Sequence, residues 1–207
     1  MKKIDLRKEL AHLWKASAKQ ASLVEVPAVP FLMVDGRGDP GASPAFQEAI
    51  GALYGLAYTL KFALKAEGRA DWKVMGLEAL WWADDMGAFA AGRRDEWRWT
   101  LLIMQPQVVT PAAVEAARER LRERKDPPGL DRVRFERLDE GLSAQILHVG
   151  PYDQEGPTVE RLHAFAREAG CELAGKHHEI YLNDPRRTAP AKLKTILRQP
   201  VRRTGRK

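Results

Sequence analysis

The sequence predicts an α+β fold built from two tandem copies of a strand–helix–strand unit. Three observations lead there. An apolar run ending at a glycine, a Gly/Pro-rich turn, a proline-led helix and a further strand occur twice, in the same order. Between the two occurrences lies DPPG, 126–129, which no helix can run through, because proline lacks an amide donor and restricts the residue before it. The composition, 44% hydrophobic and 30% charged over 207 residues, is that of a globular chain with room for one sizeable domain or two small ones.

In chain order, residues 1–25 read as an N-terminal helical extension. Its opening, MKKIDLRKELAHLWK, sets charges among the apolar positions and so differs from a secretory leader. The first module, about 26–126, begins with VPFLMVDG, a strand ending at Gly36. After the turn-rich GRGDPGASP a helix starts near Pro44, with Phe46, Ile50, Leu53, Ala57, Leu60 and Leu64 at helical spacing. WKVMGLEALWW reads as the next strand. Thr110 and Pro111 then give a cap and first-turn signal for a charge-laced helix, VEAARERLRERK. The second module, about 130–201, has LSAQILHVG as a strand ending at Gly150, then PYDQEGP, then a helix from near Pro157. Val159, Leu162, Phe165 and Ala166 share a face of that helix, and Gly170 suits the position just past its end. GKHHEIYLND is the following strand, and 202–207 is a basic tail.

Charge and cysteine content narrow the function. Arg202, Arg203, Arg206 and Lys207 supply four of the six net positive charges, leaving no basic stripe interleaved with aromatics, so nucleic acid is not an expected partner. No apolar run reaches membrane-spanning length, so no membrane partner is expected either. A single cysteine, Cys171, excludes an internal disulfide and points to a reducing cytoplasm. His177 and His178 are strand neighbours that face opposite ways, and His148 and His163 lack zinc-type spacing; neither a metal nor another cofactor is implied. Oligomeric state is not legible.

Two mid-strand carboxylates stand out. Glu78 in GLEALWW and Glu179 in HHEIYLND fall at corresponding places in the two copies. Alternation puts Glu78 with Leu80 and Trp82 on one face, and Glu179 with Tyr181 and Asn183 on another. With the copies packed about a pseudo-twofold axis, both can turn into one cleft. A buried carboxylate needs a partner, water or a cationic ligand. The plainer alternative is that each pairs with an arginine or faces solvent.

HVGPYDQEGPTVERLHAFAREAG, followed by GKHHEIYLNDPRRTAPAKLKTILRQPV, resembles the GyrI-like small-molecule-binding family. LEALWWADD is similar to its tandem-module subgroup, which includes the cyclopropanoid cyclopropyl hydrolases. The resemblance covers about 26–201 and is most specific in the C-terminal third. It implies two strand–helix–strand–strand modules forming a curved antiparallel sheet, helices on one face, and a ligand cleft between the modules, with the carboxylate of Glu179 facing bound aromatic compounds. The transcription-activator relatives carry a helix-turn-helix extension that is not read here.

The resemblance implies two activities. One is hydrolysis of the strained cyclopropane of DNA-alkylating compounds, a detoxification; the alternative is non-catalytic multidrug binding that sequesters lipophilic aromatic cations. Ring opening needs a base for water, for which Glu179 is the first candidate and Glu78 the alternate. It needs a donor to the developing oxyanion, Tyr181 first and Tyr152 second. It also needs an aromatic wall, for which Trp81, Trp82 and Trp99 are candidates. Trp81 and Trp82 point to opposite faces, so at most one of them lines the cleft. Equally, Tyr181 and the tryptophans suit a plain hydrophobic core. Arg186 and Arg187 read as surface or carboxylate-pairing residues, ahead of a helix that Thr188 can cap.

Overall fold

The computed structural model describes residues 1–205, so Arg206 and Lys207 of the basic tail lie outside the described residues. In chain order the elements are β1 (Lys2–Ile4), α1 (Leu6–Glu9), β2 (Ser22–Val26), β3 (Val29–Arg37), α2 (Pro44–Ala66), β4 (Ala70–Trp72), β5 (Glu78–Trp82), α3 (Gly87–Ala90), β6 (Arg98–Met104), α4 (Pro111–Arg124), β7 (Arg134–Leu138), β8 (Gly141–Val149), α5 (Gly156–Glu168), β9 (Cys171–Leu173), β10 (His177–Tyr181) and β11 (Lys194–Arg203). Single 3₁₀ turns punctuate them. The architecture is α+β, as expected, with the long strands paired antiparallel and only the short β1–β4 pair parallel among the described residues.

Two compact units emerge. One comprises Met1–Glu9 and Val29–Leu138, the other Leu10–Ala28 and the described residues from Asp139 on. In the first, β6 lies between β5 and β3, all antiparallel, and β7 covers the free edge of β3. In the second, β11 lies between β10 and β8, again antiparallel, and β2 covers the free edge of β8. The duplicated order read from the sequence is thus a duplicated topology. β3, α2, β5 and β6 correspond to β8, α5, β10 and β11, and an added strand borders each set.

The helices begin and end where their sequences dictate. Pro44 and Pro111 open α2 and α4 at positions where the amide would have no intrahelical partner anyway. Thr110 caps α4 by accepting from the amide of Ala113 at 3.2 Å. Gly170, at φ 70°, follows α5 in the left-handed conformation that ends helices. The core of the second unit joins Leu162 and Ala166 of α5 to Ala144, Ile146, Leu197 and Val201 of the sheet.

Several segments differ from expectation. Residues 1–25 hold β1, most of β2 and two short helical turns in place of a helical extension. Lys2–Ile4 pairs in parallel with Ala70–Trp72, and Ser22–Val26 is taken up as an edge strand, so tertiary pairing overrides a weak helical pattern. WKVMGLEALWW divides into β4 and β5 around an irregular 73–77 containing Gly76. Beyond Thr188 there is one 3₁₀ turn, Pro190–Lys192, whose N-cap is Ala189; the chain is extended again by Lys194.

Beneath the second unit's sheet lies a buried polar network. Arg198, 2% exposed, donates to the Leu13 carbonyl at 3.2 Å, to Gln145 Oε1 and to Glu140 Oε2. His178, fully buried, meets the same Glu140 at 3.0 Å. The network fastens the 3₁₀ turn Ala11–Trp14 to the sheet.

Candidate functional site

In β10 the buried residues His178 and Ile180 alternate with the partly exposed His177, Glu179 and Tyr181. Glu179 lies opposite Leu197, and Tyr181 opposite Thr195. Leu197 packs with α5, so His177, Glu179 and Tyr181 occupy the sheet face that α5 covers. The Tyr181 hydroxyl donates to Glu179 Oε2 at 2.7 Å. Its proton is aimed at the carboxylate two residues back on the same face.

A second wall comes from the turn between β8 and α5. Gly150, at φ 145°, lets the chain leave β8 sharply, and a β-carbon there would stand 3.1 Å from His148 Nε2. His148 holds the turn in place. Its Nε2 lies 3.3 Å from the Pro151 carbonyl, which only accepts, so Nε2 carries the proton and Nδ1 accepts from Thr158 at 3.0 Å. The turn presents Tyr152 and Glu155. The Tyr152 ring meets Tyr181 edge-on, 5.4 Å between centroids at 66°. Burial, then the charges of Glu155, Glu179 and Asp184, push the Tyr152 hydroxyl up to about 12.

Glu155 is buried, within reach of the Glu179 charge. Burial first, then the Glu179 charge, raises its pKa to about 9, while the Thr195 hydroxyl opposes the shift. Both effects favour the protonated form of this carboxyl. His177 Nε2 stands 3.7 Å from Glu179 Oε1. Burial, then His163 and His178, push His177 down to about 3, so the imidazole is neutral and this contact is no ion pair. Among the described residues neither of its ring nitrogens has a hydrogen-bond partner.

The site's far end is fixed by the Asp184 turn. Arg186 gives Asp184 two side-chain hydrogen bonds, at 3.0 and 2.8 Å, and a backbone one, at 2.9 Å; these hold its carboxyl down at about 2. Asn183 Oδ1 accepts from the Lys194 amide at 2.8 Å.

Of the residues picked out in the sequence, Glu179, Tyr181 and Tyr152 come together here. Glu78, Trp81, Trp82 and Trp99 belong to the first unit. There Trp81 lies opposite Trp99 across the β5–β6 pair. Phe46 of α2 meets Trp99 edge-on at 5.0 Å and Trp81 nearly parallel at 6.2 Å. Trp99 is fully buried over Gly36. Trp97 adds to the cluster, edge-on to Trp81 at 5.9 Å and stacked on Phe89 at 4.8 Å.

Trp82 alternates to the opposite face, as does Glu78, which is 1% exposed. This corrects the reading of Glu78 and Glu179 as equivalents. The helix-facing residues of β5 are Ala79 and Trp81, whereas those of β10 include Glu179. A one-residue offset in register places the two carboxylates on opposite faces of their own sheets. Glu155 and Thr195 were not singled out, and His177 was weighed only as a metal ligand. Period-two alternation puts His177 on the Glu179 face; Glu155 sits in a turn with no periodicity to reveal it.

A family model for the GyrI-like small molecule binding domain matches residues 19–202. The chain belongs to this family. It is a small-molecule-binding domain, and among the described residues no helix is long and apolar enough to cross a membrane. An uncharacterized conserved protein from Listeria innocua is 39% identical, with 96% of this chain and 100% of that one covered at a TM-score of 0.89. A hydrolase from Listeria innocua is 38% identical over 96% of this chain and 100% of that one, at 0.85. The EcmrR C-terminal domain, 13% identical over 89% of this chain and 98% of its own, shares the fold alone at 0.55. No curated protein sequence matches.

Proposed function

We propose that this GyrI-like domain binds flat aromatic small molecules on the Glu179 face and adds water to the strained cyclopropane of cyclopropanoid alkylating compounds. The observation that carries the reading is the carboxylate of Glu179, oriented by the Tyr181 hydroxyl at 2.7 Å beside the Tyr152 ring. The similarity to a Listeria innocua hydrolase supports a hydrolytic outcome.

Glu179 is the base that takes a proton from water as its oxygen attacks the methylene carbon. The Tyr181 hydroxyl is engaged with Glu179, so its part is to position that carboxylate; the expected role as oxyanion donor passes to another group. Tyr152 offers its ring to a flat guest.

The test is to incubate the protein with a duocarmycin-type spirocyclopropane and follow product mass. The reading requires a water adduct over many equivalents. Glu179→Gln should lower turnover by about 10²–10⁴-fold while still binding the compound. Stoichiometric binding with no adduct would show a sequestering protein and defeat the enzymatic claim.

A further inference from the structure

We propose that Glu155 is the general acid of this site, sharing one proton with Glu179 and delivering it to the oxygen that becomes phenolic. The inference rests on the ring-opening reading and extends it. Three features of the site point to it.

Glu155 is only 6% exposed, and among the described residues its Oε1 has no hydrogen-bond partner. A buried carboxyl oxygen left unmatched is costly, and a ligand oxygen would match it. The second feature is the neighbour set. The Glu155 amide donates to the Tyr152 carbonyl at 3.2 Å, the Tyr152 ring meets Tyr181, and the Tyr181 hydroxyl is bonded to Glu179. Asp184 adds negative charge to the same site, and His177 beside Glu179 is neutral. Burial and the Glu179 charge both favour a proton held by this pair of carboxyls. Third, Glu155 is the N-cap residue of the 13-residue α5, where the helix dipole favours the carboxylate left after the proton departs.

The competing donor fails on proton affinity. An ordinary phenol such as tyrosine titrates near 10. Tyr152, at about 12, is a weaker acid than such a product phenol and would protonate it uphill. Glu155, its pKa raised by burial and by the Glu179 charge, remains the stronger acid of the two.

The step balances without a further reactant. The water oxygen bonds to the methylene carbon, and Glu179 takes the water proton. The bond from that methylene to the spiro carbon breaks, and its electron pair enters the dienone and comes to rest on the carbonyl oxygen. Glu155 protonates that oxygen. The proton gained by Glu179 then returns to Glu155, which restores the starting state.

Two measurements on the full chain test this. Infrared difference spectra between neutral and alkaline pH read the protonated carboxyl directly, with no turnover needed. Wild type should show a carboxylic C=O band that titrates on the alkaline side of neutrality. Glu155→Gln should abolish the band, and Glu179→Gln should move its titration to lower pH. In steady-state kinetics Glu155→Gln should lower kcat by about 10²–10⁴-fold with KM little changed, and Glu155→Asp should recover part of it. The alkaline decline of kcat/KM should vanish with Glu155→Gln. A band that survives in Glu155→Gln, or a variant within about tenfold of wild-type kcat with its alkaline limb intact, overturns the proposal. A wild type that shows the band but opens no cyclopropane would instead refute the ring-opening reading.

Discussion

Replacing Gly36 by alanine tests the packing of the aromatic cluster in the first unit. A β-carbon at Gly36 would stand 2.1 Å from both Cη2 and Cζ2 of Trp99. Ordinary contact begins near 3.4 Å, so the ring and the strand must separate by well over 1 Å. The indole has little room to retreat, because Trp99 is fully buried and Phe46 lies edge-on at 5.0 Å. Overpacking in a well-filled core costs about 1–3 kcal/mol. With the clash directed at the ring itself, the upper end applies, about 3 kcal/mol. For a chain of this size that lowers Tm by about 6–12 °C. Urea unfolding followed by tryptophan fluorescence measures it, with Trp99→Leu and the double variant completing the cycle. Trp99→Leu alone leaves a cavity, and the smaller side chain should then admit the alanine. The double variant should therefore be more stable than the sum of the single losses by at least about 1 kcal/mol. A Gly36→Ala protein within about 0.5 kcal/mol of wild type, or strictly additive losses, would refute the account.

Two further predictions concern buried carboxyls. Burial alone would raise the Glu140 pKa, but the His178 and Arg198 contacts more than reverse it, so the folded value lies below the ordinary 4.5. Its stabilising contribution is full above that value and is lost as pH falls through the lower folded one. Glu140→Gln should cost about 3 kcal/mol at neutral pH, measured by denaturant unfolding, and should weaken the acid-side dependence. Glu155 has the opposite sign. It keeps its proton up to about 9 when folded and releases it near the ordinary 4.5 when unfolded. The folded state binds more protons in that window, so stability falls as pH rises across it. Glu155→Gln should flatten the slope and raise Tm on the alkaline side of neutrality; calorimetric curves parallel to wild type would refute the shift.

Much of the fold was legible because local signals agreed with it. Pro44, Thr110–Pro111 and Gly170 mark helix ends by backbone chemistry that needs no tertiary context. The duplicated order of apolar runs gave the module topology. β2 and β7 escaped notice because each has only five residues, and RFERL carries charge on both faces, so neither has the contrast that marks a half-buried strand. Within the site, alternation alone placed Glu179 beside Tyr181. The same alternation does not fix which face a helix covers, and for that reason Glu78 looked equivalent to Glu179. Glu155 becomes visible only once the turn pinned by His148 brings it to β10.

The pairing of β2 with β8 has a consequence for how the polypeptide is made. Ser22–Val26 finds its partner in Gly141–Val149, more than a hundred residues downstream, so the early segment must wait through most of synthesis before it can dock. A fragment beginning at Asp139 would carry β8 with one side of its backbone bare, an invitation to clumping. Supplying 10–28 as a separate peptide should quiet that fragment.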